Sequence, residues 1–264
     1  MGLFDLFKKK ESPKDQEMES KLLLSMPMFK NGDRYSIVDV IAHLKNVWKL
    51  HIEAENVNDD TAVFSINGNT VAIAFMPVAI PREDINHCIK YAYGWPTADE
   101  ETAQMTGHAI VTVMGGETST YANYLLLSKM LFSIMATSKA IGVYQGQQTL
   151  LLSKEQYLEY EEILEDNEAP VPLWVYIGVQ ATQTGNTLYT YGLKEFGFME
   201  LEVVNSQLDM EDLFNFINNI CAYMLENNIT LRDGETFGYT EEQKINITQS
   251  KGVNLDGDTL KLEM

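Results

Sequence analysis

The order of periodic segments predicts an α+β protein of two tandem ferredoxin-like (βαββαβ) units, with mainly antiparallel sheets, joined by a long buried helix. Three observations carry this expectation. Asn67-Gly68 separates two β-rich runs, as in a two-residue hairpin, because Gly accepts positive φ and Asn tolerates it. Ser36-Ile-Val-Asp39, Ser153-Lys-Glu-Gln156 and Ser206-Gln-Leu-Asp209 have the spacing of capping boxes and mark helix starts. The apolar stretch from Thr118 to Val143 is interrupted by Lys129 and Lys139, so its uncharged pieces are too short to cross a bilayer and it reads as a core helix.

The elements follow in order. Lys21 to Phe29 reads as a strand with a proline near its end. Ile37, Val40, Ile41, Leu44, Val47 and Trp48 recur at helical spacing and give one apolar stripe, leaving His43 exposed. Thr61–Asn67 and Thr70–Met76 form the hairpin. Pro81 opens a helix bearing Ile85, Cys88, Ile89 and Ala92, since proline suits a first helical turn, and His108–Met114 closes the unit as a strand. Beyond the long helix, Val143–Leu152 reads as a strand and Ser153–Glu168 as an acidic helix. Leu173–Gln180 and Phe198–Val204 read as strands connected through Thr184-Gly185-Asn186, and Leu213, Ile217, Ile220 and Met224 as a helix stripe. Lys244–Gln249 and a hairpin across Asp256-Gly257 complete the chain. The expected organisation is therefore a flexible leader and linker (1–20), a first α+β unit (21–116), a connecting helix (117–142) and a second α+β unit (143–264).

Charge narrows the function. The chain has 38 Asp+Glu against 19 Lys+Arg, a net charge of −19, which repels phosphate backbones and argues against a nucleic-acid partner. Cys88 and Cys221 are too few and too far apart for a secreted disulfide framework, so a reducing, cytoplasmic setting is expected. The first residues hold Leu3, Phe4, Leu6 and Phe7 ahead of Lys8–Lys10, the wrong order for a signal peptide, although a short amphipathic turn there could touch a membrane or a partner. No transmembrane segment, cofactor or metal site is implied: there is no C-x-x-C, and the four histidines lack H-E-x-x-H spacing.

The candidate site residues come from the long connection after the second helix. Tyr93, Trp95, Asp99 and Glu100, with His108 at the following strand, could line a binding surface or a pocket, because long connections in compact domains are often functional. The competing reading is a Trp95 that plugs the end of the sheet, with the acids solvated outside. Cys88 and Cys221 share apolar stripes and are expected to be packed and inert. Glu200 and Glu202 alternate with Met199, Leu201 and Val203, which places the acids toward water; the functional alternative is an acid–base pair or a cation site.

Two sets of residues carry a resemblance. One is the run Thr190-Tyr-Gly-Leu-Lys-Glu-Phe-Gly-Phe-Met-Glu-Leu-Glu202 with Arg232-Asp-Gly-Glu-Thr-Phe-Gly238; the other is Pro77, Pro81, Tyr93-Gly-Trp-Pro96 and His108-Ala-Ile-Val111. Together they resemble the bacterial family known as domain of unknown function 4261, over most of the chain after the linker. That resemblance brings no catalytic residues. It implies a small cytosolic protein, and an analogy with toxin–immunity systems. The expected function is a non-catalytic protein-binding module, of immunity-protein type, that binds a basic protein. The alternative is an enzyme with a pocket under the Trp95 loop near His108, and a third reading is self-association through paired sheets.

Overall fold

The computed structural model describes residues 22–115, 118–238 and 244–264, so the leader at 1–20 lies outside the described residues. Two sheets form the frame. The first contains β1 (Leu22–Lys30), β2 (Ile52–Val57), β3 (Thr61–Ile66), β4 (Asn69–Met76), β5 (Met105–Met114), β6 (Gly142–Gln145) and β7 (Leu150–Ser153), in the order β2-β3-β4-β5-β1-β6-β7. The second contains β8 (Tyr176–Ala181), β9 (Asn186–Tyr191), β10 (Leu201–Ser206), β11 (Thr236–Gly238), β12 (Lys244–Lys251) and β13 (Asp258–Glu263), in the order β11-β12-β13-β10-β9-β8. Among the described residues every neighbouring pair is antiparallel except β10–β13. The α+β class and its antiparallel sheets are as the sequence implies.

The tandem ferredoxin-like arrangement is corrected by the strand order. A βαββαβ unit of that kind would insert its first strand between the third and the fourth. Here β4 and β5 are direct neighbours, from Thr70↔Met114 to Met76↔His108, and β1 lies outside β5. The helices between them, α2 (Arg82–Ile89) and α3 (Ala98–Ala103), are thus an excursion that returns beside the strand it left, not a crossover. The stretch Val143–Leu152, expected as one strand of the second unit, folds back at Gly146–Gln148 into the β6–β7 hairpin and extends the first sheet through Met28↔Gly142.

Two layers of helix cover the first sheet. On one face, α1 (Ile37–Asn46) lies against α4 (Thr120–Thr137), which packs on β1 and β5. Ser36 caps α1 by accepting from the Asp39 amide, and Ser119 caps α4 through the Ala122 amide. Every residue of α4 from Asn123 to Met135 is buried, as expected of a helix enclosed on all sides. On the other face a second cluster gathers Met28, Ile85, Cys88, Trp95, Ile141 and Leu151.

The acidic stretch forms two short helices, α5 (Lys154–Leu158) and α6 (Glu161–Glu165), and Ser153 with Gln156 makes the complete capping box expected of it. A further short helix, α7 (Val171–Trp174), leads into β8. The last helix, α8 (Met210–Asn227), covers β8 and β9 with Leu213, Ile217, Cys221 and Met224. Its cap is Asp209, which accepts from the Asp212 amide, and not Ser206, which ends β10.

The hairpin at Asn67-Gly68 forms as expected, with φ of 52° and 79° and Ile66 paired to Asn69. A Cβ on Gly68 would meet nothing within 4 Å, so Gly68→Ala tests backbone strain alone. It is expected to cost about 1–2 kcal/mol in urea denaturation; a loss beyond about 3 kcal/mol would mean that the turn also makes packing contacts.

Candidate functional site

The connection from α2 to β5 is compact because Trp95 anchors it. The indole is 4% exposed and lies against Gly142 of β6, where a Cβ would run into both the ring and the Leu152 carbonyl. Its Nε1 donates to Glu101 Oε1 at 3.1 Å, and Thr97 Oγ1 donates to the same oxygen at 2.7 Å. The Thr97 hydrogen bond holds the Glu101 carboxyl below the usual carboxylate range, helped by Trp95 and Lys30 and opposed by burial.

The other candidates separate. Asp99 pairs with Arg82, while Glu100 is exposed on α3. His108 is 8% exposed, and its Nδ1 donates to the Val78 carbonyl at 2.7 Å. Trp95 and His108 are thus each hydrogen-bonded to a different partner, Glu101 and the Val78 carbonyl.

A cleft of about 60 Å³ lies elsewhere, between Tyr91–Gly94, β7 and the start of β8. Tyr93 is 58% exposed, yet its hydroxyl donates to the Ile177 carbonyl at 3.1 Å and ties the turn to β8. Tyr176 is the hub of an aromatic group, 5.4 Å from Tyr91, 6.2 Å from Tyr93 and 6.0 Å from Tyr189 between ring centroids. The Lys90 ammonium stands 4.6 Å from the Tyr91 ring centre. Burial raises the pKa of the Tyr93 and Tyr176 hydroxyls above the ordinary phenol range, so both are neutral donors. The volume holds a few waters or the end of one side chain, well below the roughly 300–1,000 Å³ of sites that enclose a small molecule.

The acidic segment touches this cleft only at α5, while Glu161 of α6 acts on His43 and Glu165 on Lys129, on the side of α1 and α4. Gln156 lines the cleft, and Glu155, Glu159, Glu161, Glu162, Glu165, Asp166 and Glu168 are all exposed on the same segment. None of these seven carboxylates pairs with a Lys or Arg among the described residues.

One nucleophile-like pair lies outside the candidate set. His43, expected to be exposed, is half-buried with Nδ1 3.0 Å from Ser133 Oγ. That hydroxyl is fully buried, accepts from Trp48 Nε1 at 3.0 Å and donates to the Lys129 carbonyl at 2.7 Å. Its proton is committed, so the pair is a packing contact. Cys88 and Cys221 are buried as expected; burial pushes the Cys88 thiol up to about 11, and Cys221 is likewise raised, which leaves both protonated.

Glu200 and Glu202 require the largest correction. Both were expected to face water, yet they are 2% and 0% exposed. Glu200 accepts from Thr190 Oγ1 at 2.8 Å and from the amides of Gly192, Leu193 and Lys194 at 2.9–3.3 Å. Glu202 accepts from the amides of Val253 and Asn254, at 3.0 and 2.7 Å, and from Thr259 Oγ1 at 2.8 Å, and it pairs with Lys261 directly across from it on β13. The period-2 pattern is intact, but two loops fold over the face that it marked as solvated. Burial would raise the Glu202 carboxyl; the bonds from Lys261, Asn254, Val253 and Thr259 outweigh it and hold the pKa at about 2. The acids therefore act as struts, with no accessible oxygen for acid–base work.

Glu202→Gln is expected to cost about 3–5 kcal/mol in chemical denaturation, because it leaves Lys261 and two amides facing a neutral group. A loss under about 1 kcal/mol would show that the carboxylate is hydrated. Because the folded pKa lies below the ordinary 4.5, this contribution is complete above about pH 4.5 and is lost as pH falls toward 2. A thermal-melt series from pH 6 to pH 2 should show the wild-type minus Glu202→Gln difference shrink across that window; a constant difference would contradict it.

Residues 189–263 match the family model described as domain of unknown function (DUF4261). The match contains both buried glutamates and the loops that bind them. It bears out the resemblance for the C-terminal run, while Tyr93–Pro96 and His108 lie outside it. No curated protein and no solved structure matches the chain.

Proposed function

We propose that the protein is a non-catalytic binding module for a basic protein partner, acting in the cytoplasm in the manner of an immunity protein. The observation that carries this reading is the run of seven exposed carboxylates from Glu155 to Glu168, none in a salt bridge with Lys or Arg among the described residues, with Gln156 of the same segment sharing a cleft with the exposed Tyr93. Such a surface steers a positive partner and offers an aromatic contact at its margin. Among the described residues no helix is long and apolar enough to cross a membrane, which agrees with a surface presented to water. The enzyme alternative near His108 draws less support, since Trp95 Nε1 and His108 Nδ1 are already bonded to Glu101 and the Val78 carbonyl.

The test is affinity capture from the source cell's lysate, with wild type and a Glu159→Lys/Glu162→Lys/Glu165→Lys variant whose fold is checked by circular dichroism. Wild type is expected to retain a basic protein at about 50 mM salt and to release much of it at about 300 mM, where screening shortens the reach of surface charge. The variant should lose it at both. Equal retention by the two proteins, indifferent to salt, would overturn the reading.

A further inference from the structure

We infer that the cleft between the Tyr91–Gly94 turn and β8 receives a Lys or Arg side chain of the basic partner. This rests on the function proposed above and names where and how one partner residue is read.

The walls are aromatic. Tyr91, Tyr93 and Tyr176 line the cleft, and a cation placed over such ring faces is attracted by their negative quadrupole. One face of the Tyr91 ring already carries the Lys90 ammonium, 4.6 Å from its centre, so Tyr93 and Tyr176 are the rings open to an incoming cation. The size is selective: about 60 Å³ admits the tip of a long side chain and little more.

Charge sets the sign of the ligand. No charged residue lines the cleft, Lys90 is engaged by the Tyr91 ring, and Gln156, on the wall, belongs to α5, which carries the exposed Glu155 and ends at the exposed Glu159. An anion meets these acids and a net charge of −19, whereas a cation is drawn in. The site is also pre-formed. The Tyr93 hydroxyl is fixed on the Ile177 carbonyl at 3.1 Å, and Gly94 lies so close to Gln156 that a Cβ would collide with its amide. A wall held in this way loses little freedom when a side chain enters.

A six-residue arginine peptide is the probe, titrated by calorimetry and mapped by backbone amide shifts. Three proteins accompany wild type: Tyr93→Phe, which keeps the ring, Tyr93→Leu, which keeps apolar bulk without the π face, and the α5–α6 lysine variant. Wild type is expected to bind, with shifts at Ala92–Gly94, Leu151 and Ile177. Tyr93→Phe should bind within about twofold of it, and Tyr93→Leu about three- to tenfold more weakly. If Tyr93→Leu binds as tightly as wild type and the shifts stay on α5–α6, the cleft assignment is overturned while the acidic-surface reading survives. If the lysine variant binds as tightly as wild type while Tyr93→Leu is weakened, the acidic surface is refuted and the cleft stands. No binding by wild type overturns both.

Discussion

Helix α4 has no face on which to place a polar group freely, and the rest of the fold is arranged to meet that constraint. It is buried from Asn123 to Met135, so each polar side chain in it must find a partner inside the protein. Ser128 accepts from Trp174 Nε1 at 2.7 Å, which brings the approach to the second sheet onto the helix. Ser133 collects Trp48 and His43 from the region of α1. Lys129 donates to Asn167 Oδ1 at 2.7 Å, just beyond α6, and lies 5.4 Å from the Trp48 ring centre. Burial pulls its pKa down, with Glu165 opposing. These bonds tie α1, the acidic helices and the lead into β8 to one element, and the main apolar cluster accordingly spans both sheets.

The same rule governs the second sheet and the surface above it. Its inner face is apolar and lies under α8, whereas its outer face buries carboxylates, which is tolerable only because loop amides and Lys261 complete their bonding. Glu200 holds the turn at Gly192–Lys194 and Glu202 holds the turn at Val253–Asn254, so the family-matched segment keeps its loops closed by buried charge instead of apolar plugs. Among the described residues, the seven exposed acids from Glu155 to Glu168 have neither such a pocket nor a salt bridge. An anionic face on that segment follows from where carboxylates are satisfied internally and where they are not.

Local chemistry was legible in the sequence and pairing was not. The Asn67-Gly68 turn, the Ser36 and Ser153 caps, the α4 core helix and the Asp256-Gly257 hairpin each depend on a few adjacent residues, and each formed as read. The strand at Ile52–Val57 was missed because its alternation, Ile52-Glu-Ala-Glu55, is short and breaks at Asn56, and β9, Asn186–Tyr191, was hidden in a run of Thr and Tyr after a glycine turn. The β6–β7 hairpin was read as one strand because Gly146–Gln148 is a short turn between apolar runs, with Thr149 at a φ of 58° that no residue type announces. Of the candidate site, Trp95 as a plug was foreseen as the competing reading. The bond from Tyr93 to Ile177 spans 84 positions and has no local signature, and the burial of Glu200 and Glu202 depends on loops 6 to 52 residues away.

Through α4 both sheets and the acidic helices are joined into one cooperative structure. Hydrogen exchange with mass-spectrometric readout along a urea series tests it most directly, by comparing peptides from β4–β5 with peptides from β9–β10. A shared core predicts that the two sets lose protection at the same midpoint and with the same slope. Two separate midpoints, with one sheet opening while the other stays protected, would contradict it.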